Sequence, residues 1–426
     1  MNSDAIPIDI KLTGSSFKTN WSLLVLIFLM PFRNLQVQYL PNFGFGLSTI
    51  NILFLLSIFH AIKYGVKPTD KIMINKFIVF YILSGILAYF VSFQLLGNDA
   101  VENWKSLKDG LIPLFVVFVV QRSAVDEIQW NRILLTTMLS IPYTFRLVYD
   151  QYLSVSKYHY SDSLRIRGPF MDLGANELGA YAVTASLVLL ALLITTWHIK
   201  KMRYVLLVLS VGAIGSLLYS YSRGGYLAFI IGFLAVIFNY KKSFKILFPI
   251  VLISVIGLNF LPKSVEERFN SIEAPEEERD ESAKSRFVFW KIAYENFKEQ
   301  PILGYGYKTA ADIRINPYQM DTHNYFVKVL EERGAVGITL LALLLVQLRN
   351  MIKVKLDWEK NTPIINGTVL GALGAFYALL VGNMFGDRFS HMAIITIFWV
   401  VIGLVSVVNS QIDEKEESHA IFKEDS

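Results

Sequence analysis

Four short stretches carry side chains suited to phosphate and proton chemistry. The first, Leu164-Arg-Ile-Arg-Gly-Pro-Phe-Met-Asp-Leu-Gly-Ala-Asn-Glu-Leu-Gly179, contains Arg165, Arg167 and Asn176. The second, Tyr219-Ser-Tyr-Ser-Arg-Gly-Gly-Tyr-Leu227, sets Arg223 between Ser222 and two glycines. The third, Asp321-Thr-His-Asn-Tyr-Phe326, holds His323, Asn324 and Tyr325, and the fourth, Gly386-Asp-Arg-Phe-Ser-His391, holds Arg388. Arginine's planar fork grips phosphate oxygens bidentately and stays charged at physiological pH. A neutral imidazole is the usual side chain for taking a proton from an attacking hydroxyl. The combination describes transfer of a group from a lipid-linked diphosphate to an alcohol, with arginines stabilising the leaving diphosphate.

Each residue also has a plainer explanation. Arg223 has the reach to snorkel to lipid headgroups, although the glycines beside it let a backbone and a ligand approach closely. Arg165 and Arg167 suit interfacial anchoring, and Arg388 stands next to Asp387, a local ion-pair partner. Arg146 and Asp150, at i and i+4, are expected simply to pair. His60, His159, His198, His391 and His419 fall at ends and tails and read as structural. Asn324 and Tyr325 are placed to orient the His323 ring or a sugar.

Several function classes drop out. The chain has no cysteine, which excludes zinc–thiolate and iron–sulfur sites and a cysteine nucleophile. It has no Asp-x-Asp, no His/carboxylate cluster with metal spacing and no G-x-x-x-x-G-K-[ST] phosphate loop. No cofactor, metal or ATP is therefore expected. A net charge of +5, dispersed along the chain, argues against nucleic acid.

The elements that must position these residues are membrane helices. Only 18% of the 426 residues are charged and 54% are hydrophobic, against about 25% charged in soluble domains. Uncharged runs cover Asn34–Ile62, Phe77–Asn98, Leu178–Trp197, Asn361–Gly386 and Phe389–Ile412, and about 20 apolar residues in a helix cross a bilayer. The expectation is an all-α integral membrane protein of about twelve transmembrane helices, centred near residues 25, 55, 86, 115, 139, 187, 212, 232, 253, 341, 374 and 400. With the N-terminus inside, the inner segments collect 20 Lys and Arg and the short outer loops eight, which predicts cytoplasmic termini under the positive-inside rule. Residues 1–261 then form helices one to nine, and 262–322 a large extracytoplasmic loop. Residues 323–410 form the last three helices and 411–426 a polar cytoplasmic tail. That loop opens with the acidic stretch Glu273–Glu281. Phe289, Ala293 and Phe297, at i, i+4 and i+8, then predict an amphipathic helix suited to the outer surface.

Three pieces of this pattern resemble the O-antigen ligase and O-antigen polymerase superfamily of bacterial envelope glycosyltransferases. They are Arg165-Ile-Arg-Gly168 followed by Asn176; Ser220-Tyr-Ser-Arg-Gly-Gly225; and His323-Asn-Tyr-Phe ending in Glu332-Arg-Gly-Ala-Val-Gly337. Ser285-Arg286, Trp290 and Pro301-Ile-Leu-Gly-Tyr-Gly306 are similar to that family's large outer loop. The resemblance implies a GT-C-like, metal- and ATP-independent transferase of the bacterial inner membrane. Its donor would be an undecaprenyl-diphosphate-linked glycan and its acceptor lipid A–core or a growing glycan. By position, His323, Arg223 and Arg165 match the family's catalytic residues, and Arg167, Asn176, Asn324, Tyr325 and Arg388 fall to substrate binding. The family often has Asn-Pro-Asn before the sixth span, where this chain has Leu173-Gly-Ala-Asn176, and the doubled Arg165/Arg167 leaves two registers. A ligase is the first expectation and a polymerase the second. Bicarbonate-type transporters share the motifs, but a carrier places its polar groups near the bilayer midplane.

Overall fold

The computed structural model describes residues 18–43, 48–68, 72–155, 164–241 and 281–410. The span expected near residue 253, the acidic opening of the large loop and the tail 411–426 lie outside the described residues. The described chain is mostly α-helical. The long helices are α1 (Trp21–Leu29), α3 (Thr49–Tyr64), α4 (Ile74–Leu96), α5 (Asn103–Ser123), α6 (Glu127–Ser154), α7 (Ala175–Thr195), α8 (Lys200–Tyr219), α9 (Arg223–Asn239), α10 (Glu281–Glu299), α11 (Tyr325–Lys355), α12 (Pro363–Gly382) and α13 (Met392–Ser406). A short α2 (Arg33–Gln38) and 3₁₀ turns at Gly97–Glu102 and Gly168–Leu173 join them. The other eleven expected centres each fall within one of these helices.

Polar side chains at N-caps set where helices begin, because the first backbone N–H groups have no intrahelical partner. Asp126 Oδ1 accepts from Gln129 N at 2.6 Å at the start of α6. Ser222 Oγ accepts from Gly225 N at 3.2 Å at the start of α9. Five stretches, Ile74–Ser123, Ala175–Thr195, Lys200–Tyr219, Tyr325–Lys355 and Pro363–Gly382, are long and apolar enough to cross a membrane. Three shorter helices, Thr49–Tyr64, Arg223–Asn239 and Met392–Ser406, are also apolar.

The interior is built on α7, α12 and α13, which are buried along nearly their whole lengths. α12 packs against α7 and α9, α13 against α5, and α11 against α4. Small residues allow the closest crossing: a Cβ on Gly371 of α12 would lie 2.7 Å from Val188 Cα in α7. The outward faces are apolar too, with Phe59, Val208 and Phe238 exposed, as expected where the surroundings are lipid.

The large outer connection is tied into the bundle through a break in α11. At Gly334 (φ 59°) the helix leaves helical geometry, and the Pro301–Gly306 segment supplies the missing partners. Ala335 N donates to Pro301 O at 2.8 Å and Val336 N to Ile302 O at 3.2 Å; Tyr305 N donates to Glu331 O at 3.0 Å and Gly306 N to Glu332 O at 2.9 Å. Tyr307 N, donating to Ala88 O at 2.8 Å, pins the same segment to α4. A Cβ on Gly334 would lie 2.4 Å from Ile302 O. Gly334→Ala is therefore expected to lower the unfolding midpoint of the purified protein, with a loss of about 2 kcal/mol or more from left-handed strain and overpacking.

The predicted amphipathic helix is α10, and its apolar stripe packs inward. Phe289 and Ala293 are buried, and α10 contacts α11. Trp290 Nε1 donates to Thr322 O at 2.9 Å, and Asn296 Nδ2 donates to Glu331 Oε1 at 2.6 Å. The loop is thereby docked directly upstream of His323.

Candidate active site

The four motif stretches meet at one end of the helices. Ile166 N donates to Tyr219 O at 3.3 Å, joining the first stretch to the second. Tyr325 N donates to Asn383 O at 2.8 Å, joining the third to the turn that carries the fourth. Glu177 and Arg388 form an ion pair between the first and the fourth. Three of these segments hold a non-glycine residue at positive φ: Met171 (48°), Tyr221 (50°) and His323 (49°). Such conformations cost about 1–3 kcal/mol each and persist only where the surroundings enforce them.

Between the stretches lies a cavity of about 620 Å³ lined by Arg165, Arg167, Asn176, His323 and Arg388. Asn176, in the first turn of α7, accepts from Arg165 Nη2 at 2.5 Å. Arg165 Nε is buried and has no hydrogen-bond partner among the described residues. Gln151 of α6 holds the turn below, its Oε1 accepting from Arg167 N at 3.2 Å and Gly168 N at 2.9 Å. The Arg167 side chain is exposed.

Three expected residues do not line the cavity. Arg223, the first residue of α9, is half-buried; its neighbour Gly224 lies against Phe385, which does line it. Asn324 is the N-cap of α11, its Oδ1 accepting from Phe326 N at 3.0 Å and Val327 N at 3.3 Å. Tyr325 is buried, with its hydroxyl against that of Tyr81 in α4. The local pair expected between Asp387 and Arg388 does not form. Arg388 pairs with Glu177, and Asp387 Oδ2 lies 3.1 Å from Lys328 Nζ. Arg146 and Asp150 do pair, at 3.7 Å.

The cavity also takes in groups to which sequence reasoning assigned no part in the chemistry: Glu177, Arg286, Asp321, Asp387 and His391. His391, read as structural, belongs to a turn whose residues converge only in the folded chain. Glu177 and Asp321 each adjoin a residue already singled out, and Arg286 stands in the Ser285-Arg286 pair of the outer-loop resemblance.

The electrostatics divide the lining. Each carboxylate has a cation: Glu177 has Arg388, while Asp321 and Asp387 share Lys328. Burial pushes the Asp387 carboxyl up, but the Lys328 charge and His391 outweigh it and hold the group at about 2. Among the described residues no carboxylate pairs with Arg165 or Arg167, so two positive charges face the cavity without an acidic partner. Burial lowers the His323 pKa from the usual 6.5, opposed by Asp321 and aided by Arg286 and Arg388. Burial thus favours the neutral imidazole in a cavity that Arg165 and Arg167 also line.

Compared with known protein families, residues 208–342 match O-antigen ligase. The match supports the O-antigen ligase/polymerase superfamily. The matched domain runs from α8 through the Arg223 turn, α10, the Pro301–Gly306 clamp and His323 into α11. Arg165, Arg167 and Arg388 lie outside it in sequence and reach the same cavity in space. Comparison with curated proteins gave no match. The match supports glycosyl transfer of the O-antigen ligase/polymerase type in general and suggests lipid-linked glycan substrates in a membrane.

Proposed function

We propose that this chain transfers a glycan from an undecaprenyl-diphosphate-linked donor to an acceptor hydroxyl at the outer face of the bacterial inner membrane, without a metal. The observation that carries the proposal is the shared cavity, in which His323 and the arginines Arg165 and Arg167 face one space. The donor diphosphate lies on Arg165 and Arg167, with Asn176 holding Arg165 and Arg388 lining the same space. His323 takes the proton from the acceptor hydroxyl as its oxygen bonds to the anomeric carbon. The bond from that carbon to the phosphate oxygen breaks, and the lipid diphosphate leaves with its charge held by the guanidiniums. Arg223 supports the wall from α9. All these groups sit at helix ends rather than at the middle of a span, which favours an enzyme over a carrier.

O-antigen ligase acting on lipid A–core is the proposed activity within the superfamily. Chromatography of envelope lipopolysaccharide from a deletion strain tests it. Unmodified core alongside long lipid-linked chains is expected; core bearing single repeats would identify a polymerase instead. The proposed topology puts both termini in the cytoplasm and residues 262–322 outside. Ile313 is exposed in that loop and the chain has no cysteine, so Ile313→Cys should react with an impermeant thiol reagent in intact spheroplasts. Labelling only after lysis would overturn the orientation.

A further inference from the structure

Lys328 has no part in the proposed transfer, yet it joins two carboxylates from separate segments behind the cavity wall. It lies on the first turns of α11 with its side chain 10% exposed. Its Nζ stands 2.6 Å from Asp321 Oδ2 and 3.1 Å from Asp387 Oδ2. Asp321 Oδ1 in turn accepts from the backbone N of His323 at 3.2 Å. Asp387 Oδ1 accepts from Ser390 N at 3.1 Å, within the turn that presents Arg388 and His391. Arg388 pairs with Glu177, next to the Asn176 that holds Arg165. Polar contacts joined by the backbone between adjacent residues therefore run from the candidate base to the candidate donor arginine, and Lys328 is one link.

We infer that Lys328 is a positioning residue that sets His323 relative to Arg165 and Arg388 by clamping Asp321 and Asp387 in one ion triad. One carboxylate would suffice to neutralise a buried ammonium. The second belongs to a different segment, so the triad ties the His323 stretch to the α12–α13 turn. The backbone bond from Tyr325 to Asn383 and the packing of the Tyr325 ring on Phe389 also join those segments, and both act through Tyr325. Lys328, one turn further on, adds a charged anchor from a second residue. Buried ion triads contribute little net stability, and fixing register is their best-attested use. Without the ammonium, Asp321 and Asp387 would face one cavity as like charges and push the segments apart.

The clamp also sets the field at His323. The charged groups that face this imidazole are Asp321 from its own loop, Arg286 from α10, Arg388 from the α12–α13 turn and Glu177 from α7. Asp321 favours the protonated ring, and Lys328 offsets that charge. Removing Lys328 and removing Asp321 should therefore move the His323 titration in opposite directions, a signature that loss of packing alone does not produce.

The inference rests on the transfer proposal only for its effect on rate, so the test has two arms. In the first, the full chain in nanodiscs is treated with diethyl pyrocarbonate, which acylates neutral imidazole, from pH 5 to 8. Modification of His323 is followed by peptide mass spectrometry. Relative to the wild type, Lys328→Met should raise the midpoint by about one pH unit, Asp321→Asn should lower it by about as much, and Lys328→Arg should leave it in place. In the second arm, transfer from a lipid-linked glycan, Lys328→Met should lower kcat by about 100-fold with donor KM little changed, as expected for misplaced groups. One common midpoint in all variants, with kcat and KM impaired together, would overturn the inference. If Lys328→Met does not fold, Asp321→Asn, which keeps the Lys328–Asp387 pair, decides by its downward shift. Opposed midpoints in a chain that transfers no glycan would support the clamp while overturning the transfer proposal.

Discussion

Replacing His323 with alanine is expected to cut glycosyl transfer by about 10²–10⁴-fold, the usual loss on removing a general base, while donor binding hardly changes. The separation arises because Arg165 and Arg167 lie on segments whose conformation does not depend on the imidazole. Gln151 and Asn176 hold them instead. Single-turnover rates and donor binding, measured on the same preparation, check it, and near-normal turnover would remove His323 from the mechanism. The pH dependence follows with a definite sign. Burial lowers the His323 pKa below 6.5, so the ring stays neutral further into acid than free imidazole does. The acid limb of kcat/KM should therefore fall below about pH 6.5, with activity lost as pH drops through it.

Replacing Arg165 is expected to do comparable damage by a different route. Its Nη2 is held by a neutral amide and its buried Nε has no hydrogen-bond partner among the described residues, so the amide orients the guanidinium without neutralising it. Arg165→Ala should reduce kcat/KM by about 10²–10³-fold, the scale for losing one preorganised donor to a developing anion. Lysine keeps the charge but not the fork, so Arg165→Lys should recover little. Arg167→Ala, at an exposed position, should be milder, and Arg388→Ala should also strand Glu177 without its cation. Donor KM measured for the four variants checks the order. Arg165→Lys with wild-type kinetics would assign the diphosphate elsewhere.

Much of the architecture was legible because membrane helices need long apolar runs, and eleven of the twelve expected centres fall within helices. Those near residues 25 and 139 are among them, with α1 packed on α3 and α6 on α8. Legibility was uneven at the site. Arg165, Arg167, Asn176, His323 and Arg388 do reach one cavity, since each adjoins a turn at a helix end. Asn324 looked like a sugar contact because it follows His323, but that same position is a helix N-cap, and the amide is used there. Asp387 was expected to serve its neighbour Arg388, yet the cation it pairs with is an ammonium from α11. Partners so distant in sequence leave no spacing to read. Nor did the glycines of Pro301–Gly306 and Gly334 reveal that two separate motifs are halves of a single backbone clamp.

The proposed transfer is tested most directly by reconstituting the purified chain in vesicles with a polyprenyl-diphosphate-linked glycan and lipid A–core, in EDTA and without ATP. Glycosylated acceptor and free polyprenyl diphosphate should appear in equal amounts, and both should form about 10²–10⁴-fold more slowly with His323→Ala. A donor left intact by the purified wild-type chain, or consumed only after a divalent metal is added, would contradict metal-independent glycosyl transfer at this cavity.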